Sequence, residues 1–217
     1  TYTVFAPYLM KSIDSYRFDT VQLVVKSKFF QSLISSLKSS RDTVKAGSAK
    51  VLSILASKIT KESNLESVDT LITKLLSALK SLSATATEQK ILISQVLTSI
   101  PEVIAQQENQ MIIKGVLPLL AKDSHEESLS AYLRLVFKFV SKSVYGTDDQ
   151  QLTKKIDDVI KNGLQDRRLG LRSCWVSSLA ENLLLTSDNS DFYKLITDDV
   201  LRLLSKIIID CCKSPLS

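Results

Sequence analysis

The chain has 217 residues, of which 44% are hydrophobic and 24% are charged, and its formal net charge is +5. It contains only five glycines and four prolines, too little turn-forming material for a β-sandwich or a β-barrel, so we predict an all-α fold. No run of 18 or more apolar residues is present, and the first residues lack the charged region and cleavage site of a signal peptide. We therefore expect no membrane segment. Because the chain opens inside a helical pattern without an initiator Met, we expect a piece of a longer protein.

Helical spacing of apolar residues runs through the first half of the chain. The predicted helices cover 2–12, 19–39 (one long helix or a broken pair), 42–61, 64–82 and 85–107. Asp19 with Gln22 is predicted to cap the second of these, and Thr85 with Glu88 forms a capping box for the last. Pro101 falls inside the final helix, where we expect a bend.

The same spacing continues through the second half. The predicted helices cover 109–121, 124–145, 147–163, 166–185 and 190–213. Ser124 with Glu127 and Thr147 with Gln150 are predicted capping pairs, and Gly146 is a predicted C-terminal cap. Pro118 lies inside a helical pattern, so a bend is expected there as well.

A small residue recurs where two helices would have to approach closely. Ala49, Ser94, Ala131 and Cys174 follow one another at steps of 45, 37 and 43 residues. A recurrence of about 40 residues made only of helices is typical of HEAT-type solenoids, in which helix pairs stack on their neighbours. We predict an α-solenoid of about ten helices with a right-handed superhelical stack. It forms one domain, 1–217, with repeats near 19–61, 64–107, 109–145, 147–187 and 190–217.

Residues that could carry chemistry are few. His125 is the one histidine and lies beside two glutamates at a predicted helix start, so a catalytic triad or a multi-histidine metal site is not expected. Cys174, Cys211 and Cys212 do not form a paired framework, which suits a reducing cytosol or nucleus. The scattered glycines form neither a phosphate loop nor a dinucleotide fingerprint. We predict a protein that is not an enzyme and needs no cofactor, metal or small-molecule substrate.

Charge is distributed unevenly along the chain. Residues 1–61 hold ten basic and three acidic residues, a net charge of +7, whereas the remainder has a net charge of −2. We define two basic groups as candidate sites for polyanions or protein partners. The N-terminal basic group is Lys26, Lys28, Lys38, Arg41, Lys45 and Lys50, and the second basic group is Lys154, Lys155, Arg167, Arg168 and Arg172. Ordinary solvated helix faces are the alternative explanation for both. Neither group has interleaved aromatic residues that could stack on bases, so sequence-specific single-strand recognition is not expected.

Trp175 follows the small residue Cys174 on the predicted helix over 166–185. We expect it to pack at the boundary between adjacent repeats. An exposed anchor for a partner is the alternative.

Three segments resemble a known family in the same order along the chain. They are APYLMKSIDSYRFDTVQLVVKSKFFQSLISSLKSSRDTVKAGSAKVLSILA, IIKGVLPLLAKDSHEESLSAYLRLVFKF and DDVIKNGLQDRRLGLRSCWVSSLAENLL. Together they resemble the N-terminal region of the general control translational activators, very large HEAT proteins that activate the kinase of translation initiation factor 2. The Ser- and Lys-rich composition is similar to that of fungal members.

The resemblance implies a cytoplasmic scaffold that binds translating ribosomes. With an ATP-binding cassette partner, such a scaffold helps to convey the uncharged-tRNA signal to the initiation factor 2 alpha kinase during amino-acid starvation. The family supplies no functional residue that can be placed here, so the two basic groups are predicted from charge alone. They would act by neutralising phosphates or acidic tails.

Two other scaffolds stay open. One is a nuclear transport receptor of the importin-β kind, although acidic inner faces are common there and the +7 segment argues against it. The other is a phosphatase-type scaffold subunit, whose repeats are more uniform than 37 to 45 residues.

Overall fold

A computed structural model of the protein describes residues 20–61, 63–101, 104, 106–143, 150–185 and 197–213. The described residues form ten α-helices and contain no strand. The helices are α1 (Thr20–Val25), α2 (Lys28–Ser36), α3 (Asp42–Ser57), α4 (Leu65–Lys80), α5 (Thr87–Thr98), α6 (Gln106–Leu120), α7 (Glu126–Ser143), α8 (Gln150–Leu164), α9 (Leu169–Leu185) and α10 (Asp198–Lys213). The predicted all-α fold is confirmed.

The helices pack as two rows. In the first row, α1 and α2 contact α4, α4 contacts α6, α6 contacts α8 and α8 contacts α10. In the second row, α3 contacts α5, α5 contacts α7 and α7 contacts α9. Each second-row helix also packs on the first-row helix that precedes it, and one hydrophobic core runs between the rows. Packing of each helix pair on its neighbours is the arrangement of an α-solenoid. The handedness of the stack and the division into repeats stay predictions.

The four small residues that defined the period all lie in the second row. Ala49 is on α3, Ser94 on α5, Ala131 on α7 and Cys174 on α9. Ala49 and Ser94 are buried, and Ala131 and Cys174 are half-buried. A small side chain lets the backbone of a neighbouring helix approach closely. The recurrence of small residues in the sequence therefore reflects the packing of helices along the second row.

The helix starts decide one open alternative and correct two predicted caps. Ser27 caps α2 by accepting a hydrogen bond from the backbone N–H of Phe30, so the stretch 19–39 is a broken pair rather than one helix. The predicted capping box of Thr85 with Glu88 is wrong, because α5 begins at Thr87 and has no side-chain cap. Ser124 does not cap α7, whose first helical hydrogen bond runs from Leu129 to the carbonyl of His125.

Other parts of the prediction fall on residues outside the described ranges. These are the helix over 2–12, Asp19, Gly146, Thr147 and residues 190–196 of the last predicted helix.

The two prolines have different places in the fold. Helix α5 ends at Thr98, so Pro101 follows that helix and does not lie inside it as predicted. A residue before proline is disfavoured in α conformation, which explains why the helix stops before this point. Pro118 does lie inside α6, as predicted.

Polar contacts join neighbouring helix pairs. The ammonium of Lys90 on α5 lies 2.9 Å from a carboxylate oxygen of Asp123, and both side chains are buried. Lys138 on α7 donates to the carbonyls of Thr98 and Ile100, the latter at 2.7 Å. Further along the first row, Lys161 on α8 pairs with Asp199 on α10 at 3.2 Å. These contacts span 33 to 40 residues, about one repeat.

Trp175 is buried and contacts the other helix of its own pair. A Cβ placed on Gly163 of α8 would overlap the indole ring, so α8 and α9 approach each other at this glycine. The side chain is only 4% exposed, which excludes the exposed anchor. The indole therefore contacts the other helix of its own pair, and its expected packing at the boundary between adjacent repeats stays a prediction.

We predict that Gly163→Ala lowers the free energy of unfolding by about 1–3 kcal/mol, because the added methyl group overpacks the indole of Trp175. Gly47→Ala on α3 is the matched control. Apart from the adjacent residues and backbone of α3 itself, no atom lies within 4 Å of its added Cβ, so that variant should gain up to about 1 kcal/mol of stability. Urea denaturation measures both values. Equal effects of the two changes would contradict the close approach of α8 and α9.

We also predict that Asp123→Ala lowers the free energy of unfolding at pH 7 by about 3 kcal/mol, because it leaves the buried ammonium of Lys90 without its carboxylate. Asp199→Ala is the control. Its carboxylate also joins two repeats but is mostly exposed, so the loss should be smaller. Urea denaturation of the two variants beside the unchanged protein measures the difference.

The same aspartate predicts a pH dependence. Burial alone would raise the pKa of Asp123, but hydrogen bonds from Lys90, the His125 backbone and Ser128 outweigh it and hold the pKa below its ordinary value. A carboxyl group whose pKa is lowered in the folded state contributes its full stabilisation above the unfolded pKa of about 3.9. This stabilisation is lost as pH falls through the folded pKa. As pH falls below about 5, the unchanged protein should therefore lose more stability than Asp123→Ala. Parallel losses would contradict the assignment.

Candidate interaction surface

The exposed members of the N-terminal basic group lie in three separate places. Lys26 and Lys28 flank the turn between α1 and α2, Lys38 and Arg41 lie between α2 and α3, and Lys50 is on α3. All five are exposed. Lys28 and Lys38 lie at opposite ends of α2, about 15 Å apart at the rise of a helix. The structure therefore gives a broad basic edge rather than one compact cluster.

Lys45 does not belong to that exposed edge. It is only 4% exposed, and its ammonium forms ion pairs with Asp42 on the same helix at 2.8 Å and with Glu88 on α5. Hydrogen bonds to Asp42 and then Glu88 raise the pKa of Lys45 above its usual value. The charge is neutralised within the contact between α3 and α5, so this residue joins two repeats and is not accessible to a polyanion.

The second basic group is also divided. Lys154 and Lys155 are exposed in the first half of α8. Arg167 and Arg168 are exposed in the turn between α8 and α9. Arg172 is half-buried on α9.

Arg168 is engaged with a neighbouring carboxylate. Its Nε and Nη2 donate to Asp166 at 3.0 and 2.7 Å, and its backbone N–H donates to the same carboxylate at 2.9 Å. The side-chain and backbone hydrogen bonds from Arg168 hold the pKa of Asp166 below its ordinary value. The turn therefore presents Arg167 as an exposed cation beside the Arg168–Asp166 pair.

Two grooves lie between successive helices of the first row, and we call them the paired grooves. The first, of about 650 Å³, lies between α4 and α6. It is lined by Thr73, Leu76, Ser77, Lys80, Gln107, Gln110, Met111, Lys114 and Gly115. The second, of about 590 Å³, lies between α6 and α8. It is lined by Lys114, Leu117, Pro118, Ala121, Gln151, Leu152, Lys155, Asp158 and Val159.

The paired grooves bring together lysines that the charge count did not select. Lys114 lines both grooves, with Lys80 on one side and Lys155 on the other. Only Lys155 was among the predicted site residues. The three lysines are 34 and 41 residues apart, so aligning the first-row helices by the repeat period would have found them. A net charge summed over a segment does not show that three lysines are aligned on successive helices.

Groups that could support catalysis are sparse in the described part of the chain. No cluster of three or more His, Cys, Asp or Glu side chains suited to a metal ion occurs among the described residues. His125 is half-buried before α7, where its backbone N–H donates to Asp123 at 2.9 Å. Cys174 is a free thiol whose sulfur lies 3.7 Å from the carbonyl oxygen of Glu126. None of the described helices is both long and apolar enough to cross a bilayer.

Comparison with known proteins gives two matches. A family model described as General control nonderepressible 1 (Gcn1) N-terminal matches residues 87–217. The eIF-2-alpha kinase activator GCN1 of Saccharomyces cerevisiae (strain ATCC 204508 / S288c) is 27% identical to the chain over 176 residues. That alignment covers 80% of this chain and 6% of the yeast protein. Both findings confirm the resemblance that the sequence showed.

We predict that Lys45→Glu lowers the melting temperature more than Lys50→Glu, although both reverse a charge on α3. The first change places a carboxylate against Asp42 and Glu88, whereas Lys50 is exposed. Thermal unfolding followed by circular dichroism measures the two shifts. Equal shifts would show that the contact between α3 and α5 does not depend on this ion pair.

Proposed function

The chain belongs to the Gcn1 N-terminal family, and we propose that it is a non-catalytic HEAT-repeat scaffold segment that binds ribosomes. The family match over residues 87–217 carries this proposal. The relative in yeast is described as an activator of the eIF-2-alpha kinase, and the present chain spans about 6% of its length. In the whole protein, the segment would help to activate the initiation factor 2 alpha kinase in the response to amino-acid starvation.

The exposed basic residues support a ribosome contact. Ribosomal RNA presents phosphates, and lysine and arginine side chains neutralise phosphates without any chemical step. Five members of the N-terminal basic group are exposed on and between α1, α2 and α3, which suits a broad polyanionic surface better than a small ligand. Such contacts are weak individually and depend on salt.

The repeated helix pairs support the scaffold role. A stack of helix pairs offers a long surface on which several proteins can bind side by side. We propose that an ATP-binding cassette protein and the initiation factor 2 alpha kinase bind to other parts of the full-length protein, in the cytoplasm. Family membership favours this proposal over the nuclear transport receptor and the phosphatase scaffold.

We predict that the 217-residue chain co-sediments with purified ribosomes at low salt. A variant with Lys26, Lys28, Lys38 and Lys50 changed to Glu should bind about tenfold more weakly, because each exposed lysine contributes to phosphate neutralisation. Raising the salt should weaken binding of the unchanged chain for the same reason.

A charge-matched control separates a local contact from a general effect of charge. It changes four exposed cations elsewhere to Glu, namely Lys61, Lys74, Lys122 and Arg134. This control should bind ribosomes as the unchanged chain does. An equal loss of ribosome binding in both variants would show that binding depends on overall charge and not on the N-terminal basic group. A chain that stays in the supernatant at low salt would overturn ribosome binding by this segment.

A further inference from the structure

We propose that the paired grooves bind an extended, acidic peptide segment of a partner protein. The proposal goes beyond ribosome binding, because the grooves lie on α4, α6 and α8 whereas the N-terminal basic group lies on and between α1, α2 and α3. The two surfaces are therefore separable by mutation.

The charge of the paired grooves favours an anionic occupant. Lys80, Lys114 and Lys155 line them, and all three are exposed. Among the lining residues the first groove has no carboxylate, and the second has Asp158 alone. Complementary charge of this kind increases the rate of association and selects against basic partners.

The floor of the grooves favours a peptide over a nucleic acid. Met111 is accessible in the first groove, and Pro118 and Val159 are accessible in the second. Apolar contacts of this type suit leucine-like side chains, and methionine adapts to different shapes. A phosphate backbone makes no use of them, and neither groove is lined by an aromatic residue on which a base could stack.

The rim supplies groups for a peptide backbone. Gln107 lines the first groove and Gln151 the second, and both side chains are exposed. A side-chain amide both donates and accepts hydrogen bonds, so it can pair with the N–H and C=O groups of an extended chain. A rim with only lysines could donate hydrogen bonds to the carbonyl groups of the peptide but would offer no acceptor for its N–H groups.

The spacing of the helices sets the length of the segment. Packed helices lie about 8–10 Å apart, so α4 and α8, two steps apart in the first row, are separated by about 20 Å. An extended chain covers about 3.3 Å per residue. The occupant therefore needs at least about six residues to contact all three lysines.

The test uses a fluorescently labelled peptide of about twelve residues in which Asp and Glu alternate with Leu, a length that exceeds the estimated span. Fluorescence anisotropy with the 217-residue chain should show binding. A variant with Lys80, Lys114 and Lys155 changed to Glu should bind at least about tenfold more weakly. A peptide with Lys in place of each acidic residue should not bind to the unchanged chain.

Two control variants make the result specific. Three exposed cations outside the grooves, Lys74, Lys122 and Arg134, are changed to Glu, and this variant should keep its affinity for the acidic peptide. Met111→Ser should weaken binding of the Leu-containing peptide but not of a peptide with Gly in place of Leu. Circular dichroism shows that each variant keeps its helices.

Three outcomes would overturn the proposal. The first is no binding of the acidic peptide, and the second is undiminished binding by the triple groove variant. The third is tighter binding of a labelled uridine oligonucleotide that the same groove variant abolishes, which would assign the grooves to RNA. Ribosome co-sedimentation of the groove variant is a separate measurement. This variant should bind ribosomes as the unchanged chain does, because its N-terminal basic group is intact.

Discussion

The described helix pairs depend on the close packing of each second-row helix on the next. Helices α3, α5, α7 and α9 form that row, and small residues such as Ala49 and Ser94 are buried in it. Buried polar contacts also join neighbouring helix pairs. The ammonium of Lys90 on α5, for example, contacts the carboxylate of Asp123, 33 residues further along the chain. Since a helix pair alone cannot bury its apolar face, the repeats stabilise one another through neighbours only. This constraint decides which side chains remain available to partners.

Much of the fold could be predicted from periodicity, because apolar spacing and the recurring small residues record the same packing. Local boundaries were less predictable. Glu88 was expected to cap its own helix, but it pairs with Lys45 from the preceding repeat, so a tertiary contact overrides the local pattern. Ser27 and Pro101 show the opposite case. A local cap and a local steric restriction break helices that the hydrophobic pattern alone would have continued.

The candidate surface was less predictable than the fold. Whether a lysine is exposed depends on the row and the face it occupies, and Lys45 is neutralised by a carboxylate 43 residues away. Lys80 and Lys114 were missed for a related reason. They lie in the part of the chain with net negative charge, and a sum over residues ignores their alignment on successive first-row helices. Salt largely screens charges beyond a Debye length of about 8 Å. The local placement of lysines therefore matters more to a partner than the net charge of a segment.

Pairing within the stack explains how a segment with net negative charge can present a basic groove. Asp123 and Asp166 are held by Lys90 and Arg168, so these carboxylates serve the packing and the turns of the solenoid. The lysines of the paired grooves are exposed. Because each helix pair is stabilised by its contacts with neighbouring pairs, charge changes on exposed first-row side chains disturb the packing little. A stack of this kind can therefore carry two independent binding surfaces on one chain, which is the physical requirement for a scaffold.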